Sequence, residues 1–99
     1  MTAHGIFNNN MKNDSTKVVN MINNYNLQDS KLKINADTDS IFDIEHINTY
    51  INNKFIYCIK SKVIYDWMIE KSMTIEDAAK KMIDITLSEY HTYFECRAD

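Results

Sequence analysis

A chain with no proline and a single glycine, Gly5, has to turn on other residues. Asparagine, aspartate and serine are the substitutes, because their short polar side chains hydrogen-bond the local backbone and ease left-handed φ. This disfavours a glycine-rich β-sandwich and favours helices joined by open turns. A length of 99 residues suffices for one core but not for a core plus a second independent module. Hydrophobic residues at 44% and charged residues at 25% lie near globular averages, so a packed interior is expected despite the asparagine-rich start.

Residues 1–13 contain Gly5 and Asn8-Asn9-Asn10 without an apolar period, and read as a mobile leader before one globular domain over 14–99. An N-cap at Asp14 or Ser15 opens a first helix bearing Val18, Val19, Met21, Ile22 and Tyr25. Asn23, Asn24 or Asn26 would close it in the left-handed cap position. Alternation in residues 31–36 predicts a strand, Asp37-Thr38-Asp39 a turn, and residues 40–44 the returning strand. Residues 44–59 fit either a helix or a second hairpin turning on Asn52-Asn53, and their β-branched and aromatic density favours strands.

Val63, Ile64, Trp67 and Met68 begin an amphipathic helix that runs to about Lys71. Beyond it, Thr74-Ile75-Glu76-Asp77 and Thr86-Leu87-Ser88-Glu89 each place an acid three residues after an N-cap hydroxyl. Two helices joined near Asp84-Ile85 are therefore predicted. One uninterrupted helix from Ile75 to Cys96 is the competing expectation, since neither glycine nor proline forces a break. The elements together predict the α+β class: an N-terminal helix, a small antiparallel hairpin or meander, and a helical C-terminal half. An all-α fold is the runner-up.

Charge and cysteine usage narrow the chemistry. A net charge of −3, scattered lysines and a single arginine, Arg97, argue against a surface built to neutralise phosphates. Cys58 and Cys96 belong to no CxxC pair, so neither a zinc cage nor a disulfide can be read from them. His4, His46 and His91 stand apart, and no serine or cysteine sits in a nucleophile elbow. No catalytic residue, metal ligand or cofactor is assigned on these grounds. With neither a secretory leader nor about eighteen consecutive apolar residues, a cytoplasmic protein without a membrane partner is expected.

Two segments resemble known motifs. Asp37-Thr38-Asp39-Ser40-Ile41-Phe42 resembles the metal-binding hairpin of family B DNA polymerases, over six of the 99 residues. That resemblance implies magnesium-dependent nucleotidyl chemistry with Asp37 and Asp39 as ligands. Asn35-Ala36 stand where the family commonly has an aromatic, and no second acidic strand motif accompanies the match. Residues 74–97 resemble the helix-turn-helix of small transcription regulators, which implies a DNA-binding regulator. There the second helix would present Glu89 and Glu95, with Arg97 only at its end, and the glutamates oppose phosphate.

The expectation that fits the whole chain is a small non-enzymatic protein-binding module. It would be an inhibitor or adaptor of phage or mobile-element origin acting on a host protein, since heavy use of Asn, Ile, Lys and Tyr is what AT-rich coding produces. The candidate interaction residues are Asp37, Asp39, Asp43 and Glu45, with the aromatics Tyr65, Trp67, Tyr90 and Tyr93. The acids would occupy the basic groove of a nucleic-acid-handling enzyme. A homodimer is also compatible with the sequence.

Overall fold

The computed structural model describes residues 2–39 and 46–95. Helix α1 spans Thr2–Asn23 and is followed by three strands, β1 (Ile34–Thr38), β2 (His46–Ile51) and β3 (Lys54–Lys60). Helices α2 (Ser61–Glu70) and α3 (Ile75–Tyr90) complete the order, and α3 widens into a π-helical turn over His91–Glu95. The strands form one antiparallel meander in the order β1-β2-β3, so the expected α+β class is found.

Strict alternation on β2 shows how the layers arise. Ile47, Thr49 and Ile51 are buried while His46, Asn48 and Tyr50 are partly exposed. With side chains pointing alternately to opposite faces, one face of the sheet meets the helices and the other meets water. The core gathers Val18 and Ile22 of α1, Ile34 and Ala36 of β1, Ile47 and Ile51 of β2, Ile59 of β3, Ile64 of α2, and Ala78, Ala79, Met82 and Ile83 of α3. Each large side chain so buried contributes roughly 1.5–3 kcal/mol against the ordering of the chain.

Left-handed backbone falls where the shortage of glycine demands a substitute. Among the described residues, positive φ occurs at Asn52 (51°), Asn53 (67°) and Ser72 (53°). Asn52 and Asn53 form the two-residue loop between the paired Ile51 and Lys54, and positive φ at both identifies a type I′ hairpin. The Asn52 side chain also straps the preceding segment: its Oδ1 accepts from Lys33 N at 2.9 Å and its Nδ2 donates to Lys31 O at 3.2 Å. Ser72 takes the left-handed step just after α2. By contrast, the asparagines at the end of α1 do not take that conformation.

Three local expectations need correction, and a fourth falls outside the described residues. Helix α1 starts at Thr2 rather than at Asp14 or Ser15, and Ser15 lies buried within it. The first strand runs Ile34–Thr38, so Asp37 and Thr38 are strand residues paired with Asn48 and Ile47 and do not form a turn. Its partner is β2; the returning strand expected over residues 40–44 lies outside the described residues. Finally, α3 is one helix through Asp84-Ile85, so the second capping box does not form.

The last correction has a visible cause. Thr86 is fully buried, its hydroxyl donating to Met82 O at 2.7 Å and lying 2.8 Å from Thr49 Oγ1 on β2. A hydroxyl engaged by the preceding turn and by the sheet is not available to cap a new helix. The box at Thr74 does form: Asp77 N–H donates to Thr74 Oγ1 at 3.0 Å and Thr74 N–H to Asp77 Oδ2 at 3.3 Å.

Candidate functional site

The solvent face of the sheet gathers most of the polar side-chain geometry. Antiparallel register places Asp37 opposite Asn48, and Asn35 opposite Tyr50, on β1 and β2. The Tyr50 hydroxyl reaches both Asp37 carboxylate oxygens at 3.1 Å, its one proton serving one of them at a time, and Asn48 Nδ2 donates to Asp37 Oδ1 at 3.2 Å. One step along, His46 N–H donates to Asp39 Oδ1 at 3.2 Å, and the His46 Nδ1–H faces Asp39 Oδ2 at 2.8 Å. That contact is an ion pair whenever the imidazole carries both protons.

Across β2 the same face becomes aromatic and then basic. Phe55 of β3 is the register partner of Tyr50, and the two rings meet edge to face with centres 6.0 Å apart and planes at 73°. Phe55 remains 54% exposed. Lys60 pairs with His46, and the exposed thiol of Cys58 stands opposite Asn48. Two ribs result: Asp37–Tyr50–Phe55 crosses all three strands, and Asp39–His46–Lys60 runs from the residue just past β1 across β2 to β3. Burial first, and then the bonded and charged Asp37 carboxylate with a smaller contribution from Cys58, push the Tyr50 phenol above its ordinary pKa.

A polymerase-like metal centre needs a third carboxylate on the neighbouring strand. The described part of β2 brings His46, Asn48 and Tyr50 there instead, and these engage the two aspartates directly. Among the described residues no group of three or more His, Cys, Asp or Glu side chains could hold a metal ion. Asp43 and Glu45 lie outside the described residues. A helix-turn-helix is likewise absent over residues 75–90, because α3 has no turn.

The aromatic candidates do not assemble with the acids. Tyr65, at 8% exposure, belongs to the buried interior, a correction to its expected surface role. Trp67 is half-buried under Lys81, whose ammonium lies 4.8 Å from the ring centre. Tyr90 is half-buried against the core with the His91 ring 5.6 Å away, and only Tyr93, at 57%, is broadly exposed. A separate apolar groove of about 610 Å³ runs between α1 and α3, lined by Met21, Tyr25, Ala79 and Ile83. Lys80 lies at that groove, 5.6 Å from the Tyr25 ring centre and 3.4 Å from Asp84, and these two neighbours raise its pKa, Tyr25 more than Asp84.

Sequence reasoning found Asp37 and Asp39 but missed their partners. His46-Ile47-Asn48-Thr49-Tyr50-Ile51 alternates polar and apolar without exception, and that period could have identified β2 as the neighbour and its polar half as the ligands of the acids. Phe55 carried no comparable signal. No helix among the described residues is long and apolar enough to cross a membrane. Comparison with known proteins finds no family model, no curated protein and no solved structure that matches this chain.

Proposed function

We propose that the chain is a small non-enzymatic protein-binding module that uses the solvent face of its sheet. In this reading it is an inhibitor or adaptor of phage or mobile-element origin, acting in the cytosol on a host protein. The supporting observation is the Asp37–Tyr50–Phe55 rib: a half-exposed aromatic beside acids whose side chains are already held by hydrogen bonds. Side chains ordered before association lose less rotamer freedom on binding, and aromatic anchors with a polar surround are what interface hot spots are made of. Asp37 and Asp39 on one side of this face suit a partner with a basic groove, such as a nucleic-acid-handling enzyme.

The test is capture of a partner from the native cell by tagged protein, followed by titration of that partner. Phe55→Ala and the charge reversal Asp37→Lys with Asp39→Lys should each weaken binding by tenfold or more, with circular dichroism confirming the fold. A partner held equally tightly by both variants would refute the assignment to this face.

A further inference from the structure

We infer that a cleft beside the β2–β3 turn is a binding site for a neutral saccharide, with a second sugar ring lying against Phe55. The inference stands apart from the protein-binding reading, which assigns no ligand to this cleft.

The cleft has a volume of about 530 Å³ and is lined by Asn23, Lys33, Asn35, Asn52 and Asn53. These residues converge from the end of α1, the approach to β1, β1 itself and the turn between β2 and β3. The size lies within the range of small-molecule sites. Two of the amides are fixed before any ligand arrives. Asn23 Nδ2 donates to Ala36 O at 3.0 Å, and its Oδ1 accepts from Ala36 N–H at 2.7 Å. Asn52 is held in the same way by Lys33 N–H and Lys31 O, and its own N–H donates to Lys33 O at 2.9 Å. Each amide faces one backbone donor and one backbone acceptor, so neither can flip without losing both bonds. A primary amide carries two N–H donors and an oxygen with two lone pairs. Each clamp uses one of each, which leaves Asn23 and Asn52 one donor and one acceptor apiece for a ligand.

The chemistry of the lining selects that ligand. All five side chains end in hydrogen-bonding groups, and four are neutral amides able both to donate and to accept. A sugar hydroxyl is the matching group, with one proton and two lone pairs, repeated around a ring that carries no charge. A phosphate-bearing ligand would find only Lys33 for its charge, and an apolar one would strip water from the amides without replacing their hydrogen bonds. Asn35 connects the cleft to an aromatic surface. It is the register partner of Tyr50, whose ring meets Phe55 edge to face, and Phe55 is 54% exposed. From Asn35 across β2 to Phe55 is two strand spacings, about 10 Å. The second ring of an oligosaccharide can therefore set its weakly positive C–H face on the electron-rich face of Phe55.

The experiment uses nitrogen-15 NMR of the full chain, which reads asparagine side-chain NH2 groups as well as the backbone. The probes are trisaccharides of glucose, mannose, galactose and N-acetylglucosamine. At least one should give saturable shifts at the side-chain amides of Asn23, Asn35, Asn52 and Asn53. Asn23 and Asn52 also hold the fold, so the binding variant is Asn35→Ala with Asn53→Gly; glycine suits the second position of a type I′ turn. This double variant should weaken the responding trisaccharide about tenfold, the loss of one or two hydrogen bonds. Phe55→Ala should weaken it severalfold, and amide dispersion reports whether each variant is folded. No saturable response to any of the four sugars, shifts confined to other elements, or unchanged affinity in either variant would overturn the proposal. Tighter binding of adenosine or triglycine at the same amides would do so as well. These titrations use no protein partner, so their failure removes the saccharide site and leaves the proposed function to its own test.

Discussion

Thr49 and Tyr50 are neighbours on β2, yet each makes a side-chain hydrogen bond in a different solvent. The Thr49 hydroxyl meets Thr86 inside the core at 2.8 Å, whereas Tyr50 meets Asp37 on the wet face at 3.1 Å. Water can replace the partner of Tyr50 but not that of Thr49. Similar contacts therefore have different consequences. Inside, the pair locks α3 to the sheet and keeps the helix continuous; outside, it orders a surface at small cost in stability.

The comparison breaks first if the inner face is not the core. Ile47→Ala, one residue from each of the partly exposed His46 and Asn48, should cost about 2–5 kcal/mol in urea denaturation, while Asn48→Ala should cost about 1 kcal/mol or less. Similar losses from the two variants would mean that the alternation does not divide the sheet into a dry and a wet face.

A double-mutant cycle sharpens the inner half. Thr86 spends its proton on Met82 O, so Thr49 donates toward Thr86, with Tyr57 O a more distant acceptor at 3.4 Å. Thr86→Val should cost about 1–3 kcal/mol by leaving the Thr49 hydroxyl poorly satisfied. Adding Thr49→Val should then cost clearly less than the two single changes summed. Strict additivity would show that the two hydroxyls do not form one unit.

On the outer face the effects are smaller and depend on pH. Tyr50→Phe removes the bond to Asp37 and should cost about 0.5–1.5 kcal/mol at neutral pH. The folded protein holds the Tyr50 proton more tightly than the unfolded chain does. Its contribution is therefore complete below about pH 10 and is lost as pH rises through the raised folded value. Wild type should lose stability above pH 10 more steeply than Tyr50→Phe, and parallel stability curves for the two proteins would contradict this. Asp39→Asn should have the least effect, below about 1 kcal/mol, because its contact with His46 is exposed and screened by salt.

Much of the architecture was legible in the chain. The alternation of β2, the turn at Asn52-Asn53, the start of α2 and the capping box at Thr74 all rest on neighbours within a few residues. The errors share a different cause. Thr86 carries the same local signature as Thr74, and only its contact with Thr49, 37 positions away, distinguishes a buried tie from a cap. A cap is worth about 1 kcal/mol, less than continuous packing of Met82, Ile83 and Thr86 against the sheet. Asp37-Thr38-Asp39 likewise suits a turn until β2 supplies Asn48 and Ile47 as ladder partners. Of the candidate interaction residues, Asp37 and Asp39 do share a face, Tyr65 is spent on the core, and Trp67, Tyr90 and Tyr93 sit on the helical side of the chain.

The near-absence of glycine and the lack of proline were enough to require that asparagine and serine carry left-handed backbone, because that preference belongs to a residue and its immediate neighbours. The α+β class followed from apolar periods for the same reason. Which asparagine would turn, which would clamp a strand edge, and whether α3 would break were outside local reach. Asn53 takes the turn because β2 and β3 pair on either side of it, while Asn23, at the end of α1, keeps a non-left-handed backbone and grips Ala36 on β1. Those outcomes depend on partners 13 to 37 residues away, whose burial and hydrogen bonds outweigh a local preference of about 1 kcal/mol.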